Sequence, residues 1–391
     1  MRILLIHNHY QRRGGEDTVF EAEKEMLRNN GNEVFSYERF NDEIKQYSTF
    51  QKLYAPFNTI WSRDTNKALS GLVESVKPDI VHFHNFFPLI SPSAYQVFER
   101  HDIPIVQTLH NFRLICCNGI LFRKNRICED CLKELVPWPG VIHACYRGSH
   151  VQSLAVFSMI FAHRIFRTWQ EKVNRFITFT DFGSRKFIQG GLPSGKIEVK
   201  PHFVSPDPGV RNTEGNYAVF IGRLSSEKGV HTLINSWQNL GHIPLKIVGD
   251  GPMMAILQDK VSDFRANRVE FLGWLPRSQI FSIIKKASFL IFPSECYETF
   301  GISIIEAFAC GVPVITSNIG AQAEIVQDGY NGMHFITKDE DDLAKKVAWA
   351  WEHRSILNEM GMNARNEYET KYTQNANYEK LINIYNLSLA K

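Results

Sequence analysis

The chain has 391 residues, 44% of them hydrophobic and 22% charged, the composition of an ordinary globular protein and too long for one core, so two or three domains are expected. The N-terminal MRILLIH is too short an apolar run for a signal peptide, and no stretch reaches the roughly 18 apolar residues of a membrane span, which points to a cytoplasmic protein. The formal net charge of +3 conceals an asymmetry: residues 1–203 carry 26 basic and 20 acidic residues, residues 204–391 carry 18 and 21. Residues 112–186 alone hold 12 basic and 5 acidic residues, a patch suited to an anionic partner such as a membrane surface, a lipid phosphate or a nucleic acid.

Residues 2–7 read as a short buried strand. The glycine turn that follows contains Arg12, Arg13, Gly14, Gly15 and Glu16, and a helical pattern runs from about 17 to 28. Strand, glycine turn, helix is how a doubly wound sheet opens, although this turn is not a full GxGxxG. Strands near 33–37, 80–84 and 105–109 alternate with helices near 65–76 and 93–100, which argues for a parallel sheet. Residues 112–150 break the rhythm with a basic, loop-like segment that holds five cysteines, and residues 151–173 read as one long helix. Strands at 175–180 and 196–200 flank a helix from Gly183. The segment PHFVSPDPGVRNTEGN reads as a linker.

The second half repeats the program. YAVFIGRL, LKIVGDG, VEFLGWL, SFLIFP and PVITS read as strands, with a helix at 230–237 and another opening near Gly301. The expected fold is therefore α/β, with two Rossmann-like domains, residues 1–203 and 204–376, whose parallel sheets face across a cleft at the strands' C-terminal ends. A last helix at 377–389 is expected to pack back on the first domain.

Three strand-to-helix turns of the second half carry the chemistry. IGRLSSEKG places Gly222, Arg223 and Lys228 where a phosphate would be held, and GDGP supplies Gly249 and Gly251. FPSECYETFGISIIEAFACGVP places Glu298 in a loop and Glu306 eight positions later in an apolar helix. A helix start offers free N–H groups and positive potential to an anion such as a diphosphate. A lone glutamate is ordinarily a solvated charge. Glu306, between Ile305 and Ala307, sits in a helix too apolar for the surface, and a buried carboxylate needs a partner.

Together, GRLSSEKG, GDGP and ETFGISIIEAFACGVPVI with its two glutamates resemble the C-terminal domain of family 4 retaining glycosyltransferases, which have the B-type fold of two Rossmann-like domains. GGEDT, TLHNFRLIC and FTDFGSRKFIQGGLP resemble a bacterial branch that builds surface polysaccharides, so the similarity covers nearly the whole chain. The resemblance implies that Arg223 and Lys228 hold the donor diphosphate without a metal, that Glu306 binds the ribose, and that Glu298 with Phe300, Gly301 and Ile302 holds sugar and phosphate. His110 would face the sugar, Gly14 and Gly15 would lie against donor or acceptor, and residues 273–275, Leu275 among them, would line the base. The implied partners are a nucleotide-sugar donor and a glycan or lipid-linked acceptor at the inner face of the cell membrane, with no nucleic acid and no catalytic cofactor. Retention in such enzymes is attributed to same-face attack aided by the leaving phosphate. Asn111 departs from the acidic residue that relatives often carry after the histidine. A nucleotide-sugar epimerase of the same architecture and a non-catalytic nucleotide-sugar binding protein are the rival functions.

Asp339 and Asp341 form the one Asp-x-Asp of the chain, in KDEDDLAKKV, and read as an acidic first helical turn rather than a metal site. Cys116, Cys128, Cys131 and Cys145, with Cys117 as a substitute for Cys116, have spacing compatible with a structural zinc; reduced thiols packed in the core are the alternative. The helix at 151–173, with Arg164, Arg167 and Lys172 toward its end, is either core or a membrane contact, with Phe157, Phe161, Phe166 and Trp169 at the interface and its arginines on anionic headgroups.

Overall fold

The computed structural model describes residues 1–390 except 12–13, 133, 135 and 265–267, so Arg12 and Arg13 of the first glycine turn lie outside the described residues, as do the side chains of 50, 52 and 53. The chain divides into two compact units. The first comprises Met1–Leu121, Cys128–Lys200 and the chain from Tyr378 onward; the second comprises Phe122–Ile127 and Pro201–Asn377. The boundary thus falls between residues 200 and 201, and a short hairpin from the cysteine-rich loop groups with the second unit.

The first unit is built on six parallel strands: β1 (Arg2–His9), β2 (Glu33–Phe40), β3 (Ile80–Phe83), β4 (Ile105–Thr108), and, beyond the hairpin strands β5 (Phe122–Arg123) and β6 (Arg126–Ile127), β7 (Arg175–Thr178) and β8 (Ile197–Val199). They lie in the order β2-β1-β3-β4-β7-β8. The central strands β3 and β4 are buried at every position, as parallel strands covered on both faces must be, whereas the edge strand β2 is partly exposed throughout. Phe83, Tyr95, Phe98 and Trp169 fill the core, and the Tyr95 hydroxyl donates to Gln107 Oε1 at 2.5 Å.

The second unit has strands β9 (Ala218–Ile221), β10 (Leu245–Val248), β11 (Val269–Gly273), β12 (Phe289–Phe292), β13 (Val314–Ser317) and β14 (Gly332–Phe335), all parallel, in the order β11-β10-β9-β12-β13-β14. This is the doubly wound order in which the winding reverses between β9 and β12, and ligands settle outside the C-terminal ends of such a pair of strands. In the first unit the reversal falls between β1 and β3. Trp237 is buried at the centre of the second core and donates its indole N–H to Ile243 O at 2.9 Å, so its one polar atom is satisfied.

Several elements differ from the sequence reading. The long helix expected at 151–173 is two helices, His150–Ile165 and Thr168–Glu171, because Arg167 takes a left-handed conformation between them (φ 50°). A helix at Thr49–Ile60 and the strand β14 had no counterpart in the reading. The C-terminal helix starts at Gln374, where Thr373 Oγ1 accepts from Ala376 N, and it continues into the first unit, where Leu381 and Tyr385 are fully buried. Asp339 caps the helix Glu340–Glu352 by accepting from Asp342 N at 2.9 Å, which is what its acidic first turn suggested.

Candidate functional site

In the second unit, the turns after β9, β10 and β12 gather on one sheet edge. Gly222 N donates to Val248 O and Leu224 N to Asp250 O, tying the first two turns together. Gly249 has φ 136°, and a Cβ there would lie 1.9 Å from Gly222 O; a Cβ on Gly251 would lie 2.3 Å from Leu224 O. No side chain fits between these backbones, which is why the GDGP turn needs its glycines. Gly229 (φ 67°) does the same for the third turn, where a Cβ would lie 1.9 Å from Pro293 O.

This packing brings Lys228, after β9, to the loop after β12. Lys228 Nζ donates to Glu298 Oε1 at 2.6 Å, and Ser294 Oγ donates to the same oxygen at 2.5 Å. Burial works against the Lys228 charge, but the neighbouring Glu298 carboxylate outweighs it and raises the ammonium's pKa, so Lys228 stays cationic. Glu295, from the same loop, is buried and accepts from Thr232 Oγ1 at 2.6 Å, which pins the loop to the helix Val230–Ser236.

Gly301 (φ 119°) then caps the helix Ile302–Ala309, with Phe300 buried beside it against His202, their ring centroids 5.1 Å apart. Glu306 is buried in this helix, as its apolar neighbours suggested, and accepts from Arg277 Nε at 3.1 Å. Burial raises the Glu306 pKa, and Arg277 opposes the rise. The partner a buried carboxylate requires is therefore Arg277, which the sequence reading missed. It follows β11, two residues beyond the half-buried Leu275. Arg223 is exposed in its turn.

In the first unit, Gly14 caps the helix Gly15–Asn29, and its N–H donates to Asp17 Oδ2 at 3.0 Å. Asp17 Oδ1 pairs with His7 Nε2 at 2.9 Å and His9 Nδ1 at 3.1 Å, and His9 Nε2 pairs with Glu38 Oε2 at 2.7 Å. His110 follows β4 and is half-buried. Its Nε2 lies 3.0 Å from His84 Nδ1, just beyond β3. Both rings line a cavity of about 20 Å³ together with Tyr10, Thr108, Asn111 and Arg113. Asn111 accepts from Arg113 N and donates to the Tyr10 hydroxyl at 3.3 Å. Tyr10 in turn donates to Glu16 at 3.0 Å, whose carboxyl burial pushes up to about 8.

Of the four cysteines named as zinc ligands from the sequence, Cys116 and Cys131 are buried and Cys128 and Cys145 half-buried. Among the described residues, the ligand sets that converge within 4.8 Å are His7 with His9 and Asp17, Glu23 with His82 and His84, and His9 with Glu21 and Glu38; no cysteine belongs to any of them. Cys117 and Cys131 both lie beside Gly140, where a Cβ would come within 2.5 Å of the Cys117 sulfur and 3.9 Å of the Cys131 sulfur, with Cys116 and Cys145 in electrostatic range, and burial pushes the Cys117 thiol up to about 12. Burial likewise raises the Cys131 thiol.

Two sequence profiles cover most of the chain: "Glycosyltransferase Family 4" matches residues 6–208, and "Glycosyl transferases group 1" matches residues 205–367. The chain belongs to glycosyltransferase family 4. The uncharacterized glycosyltransferase MJ1178 of Methanocaldococcus jannaschii is 30% identical over 158 residues, 40% of this chain, and the match spans 44% of that protein. The capsular polysaccharide biosynthesis glycosyltransferase CapM of Staphylococcus aureus is 27% identical over 95% of this chain and 94% of its own. Among solved structures, HepE of Anabaena in complex with UDP superposes with a TM-score of 0.66 at 16% identity, covering 98% of this chain and 99% of that one. That likeness is one of fold, two doubly wound domains of the B-type glycosyltransferase architecture. In this family 4 chain, the turns gathered around Lys228, Glu298 and Glu306 therefore stand at the winding reversal of the C-terminal Rossmann-like sheet.

Proposed function

We propose that this family 4 glycosyltransferase moves a sugar, with retention of configuration and without a catalytic metal, from a nucleoside-diphosphate sugar to a glycan or lipid-linked acceptor in surface-polysaccharide assembly. The observation that carries this reading is the Lys228–Glu298 pair at the winding reversal, beside the helix start at Gly301 and the buried Glu306. A cation kept charged in a partly buried turn stabilises charge developing on a departing diphosphate, the task a metal performs in other transferases. Arg223, exposed on the adjoining turn, adds a second positive group. The N–H groups at the start of Ile302–Ala309 take the phosphate oxygens, Glu306 takes the ribose hydroxyls and Glu298 the sugar. UDP in HepE and capsule synthesis by CapM support the donor and acceptor classes. Incubation with labelled nucleotide sugars and lipid-linked acceptors tests the reading. Label should pass to the acceptor, and label appearing in a different nucleotide sugar without acceptor would overturn it.

The acceptor's side of the proposal is an anionic membrane. No helix among the described residues is long and apolar enough to cross one. Val151, Leu154, Ile165 and Phe166 are exposed on or beside the helix His150–Ile165, and Tyr54 and Phe57 on the helix Thr49–Ile60 that packs against it. Trp169, expected at such an interface, is instead buried in the core, and Lys172 is paired with Glu99. The surface therefore offers Phe166 and the aliphatic residues as its apolar face, with Arg167 beside them. Flotation with anionic vesicles should recover the chain, less so at high salt, and equal recovery on neutral vesicles would count against the proposal.

A further inference from the structure

Arg277 is the first residue of the helix Arg277–Ile284, which follows β11 in the second unit. A helix start carries positive potential and disfavours a cation, so the helix itself gives no reason for an arginine there. The reason lies on the helix Ile302–Ala309, where Glu306 Oε1 accepts from Arg277 Nε at 3.1 Å. The turn that carries Arg277 is tied to the edge where the other turns gather. Gly273 O accepts from Gly249 N at 2.8 Å, which joins the turn after β11 to the GDGP turn.

The pair is lopsided. The Glu306 side chain is 9% exposed and that of Arg277 30%, so the carboxylate lies deeper than the guanidinium. Arg277 is fixed from two further sides. Its Nη1 donates to Ser205 O at 3.4 Å, and its guanidinium carbon lies 5.5 Å from the centroid of the Phe281 ring, one turn along the same helix. A planar fork held at two nitrogens and set over a ring has a defined orientation, which the point charge of a lysine would not have. An ionised carboxylate offers two acceptor oxygens, and Arg277 engages Oε1. Burial raises the Glu306 pKa and Arg277 opposes the rise, so without the guanidinium the carboxyl loses part of its charge as well as its direction.

We propose that Arg277 is the positioning residue of the ribose contact: by holding Glu306 Oε1 it fixes the carboxylate in one orientation and leaves Oε2 to accept from the 2′- and 3′-hydroxyls of a nucleoside diphosphate. The proposal rests on the reading above, in which Glu306 meets the ribose. Arg277 acts through Glu306 and needs no contact with the nucleotide of its own.

The test is calorimetry on the full chain with UDP, GDP, ADP and CDP, followed by the 2′-deoxy and 3′-deoxy forms of whichever binds. Wild type should prefer the ribo compound by about 10-fold or more. Arg277→Met should lose most of that preference, and Arg277→Lys, which keeps a charge beside Glu306, should recover part of it. In a Glu306→Gln background, Arg277→Met should change the preference less than about twofold, because the group that Arg277 aims is already gone. A purely structural arginine would instead weaken ribo and deoxy compounds alike. An undiminished ribo preference in folded Arg277→Met, or full additivity with Glu306→Gln, would overturn the proposal. If Arg277→Met does not fold, Arg277→Gln, which can donate one hydrogen bond without a charge, is judged on the same preference. A wild type that binds none of the four diphosphates would sink the functional reading and this proposal together, whereas a ribo preference that does not depend on Arg277 sinks this proposal alone.

Discussion

The Lys228 ammonium lies 2.6 Å from a Glu298 carboxylate oxygen that also accepts from Ser294 Oγ. Either partner alone would be a poorly solvated charge, so the pair stores a cation at a place where water cannot screen it well. Lys228→Ala should lower kcat/KM by about 100-fold or more through lost stabilisation of the leaving diphosphate. It should also cost about 1–3 kcal/mol of stability, because Glu298 is left with one fewer donor. Steady-state kinetics and urea unfolding check both, and near-normal turnover would show that Lys228 does not touch the phosphates.

Glu306 should be read through the ribose rather than the sugar. Glu306→Gln removes the charge that accepts strongly from hydroxyls and leaves Arg277 half-paired. Binding of the nucleoside diphosphate should weaken about 10-fold to 100-fold, as expected for one charged hydrogen bond. Discrimination against the 2′-deoxy and 3′-deoxy analogues should shrink with it. Calorimetry on the ribo and deoxy compounds measures this, and unchanged discrimination would remove Glu306 from the ribose.

The glycine turn after β10 carries a stability prediction. Gly249→Ala forces a Cβ to within 1.9 Å of Gly222 O at φ 136°, so the two turns must part. A loss of about 2–4 kcal/mol is expected, combining backbone strain with displaced packing. Nucleotide affinity should fall with it, since the same turns carry Arg223. An unfolding midpoint within error of the parent would contradict the close approach.

His9 and His7 give the first unit opposite responses to pH. For His9, burial disfavours the charged ring, but hydrogen bonds to Asp17 and Glu38 outweigh it and raise the pKa to about 9. Its folded pKa is above the unfolded value, so the stability it confers is present below about 6.5 and is lost as pH rises toward 9. His7 is lowered to about 4, chiefly by burial, so the stability of its neutral form is lost as pH falls from about 6.5 toward 4. Read in urea midpoints, the two histidine contributions together are greatest near pH 6.5, while Glu16, raised to about 8, adds a loss of stability of its own as pH rises from about 4.5 toward 8. His9→Gln should flatten the alkaline side while leaving the acid side, and an unaltered alkaline slope would rule out His9 as its source.

How much of this was legible in the sequence depended on distance along the chain. The buried parallel strands announced themselves as apolar runs, and the glycine turns and the two glutamates of the β12 loop and its helix lie within one short segment. The Glu306 partner was not legible, because Arg277 lies 29 positions away on a different turn. His84 was invisible for the same reason: it looked like an isolated residue of a strand end until the sheet order placed it beside His110. The break at Arg167 escaped because the apolar pattern continues through it, and only the backbone conformation shows the stop. For the cysteines, spacing alone does not say which thiols approach one another; the fold sets Cys116, Cys117 and Cys145 within electrostatic range of Cys131.

The central claim is retaining transfer from a nucleotide sugar. The most direct measurement is the NMR spectrum of the anomeric proton of a sugar newly transferred to a lipid-linked acceptor, compared with the same proton in the donor. The account predicts transfer with the donor's anomeric configuration preserved, and with no loss on adding a chelator. An inverted product, or a donor that binds and is never transferred to any acceptor offered, would contradict it.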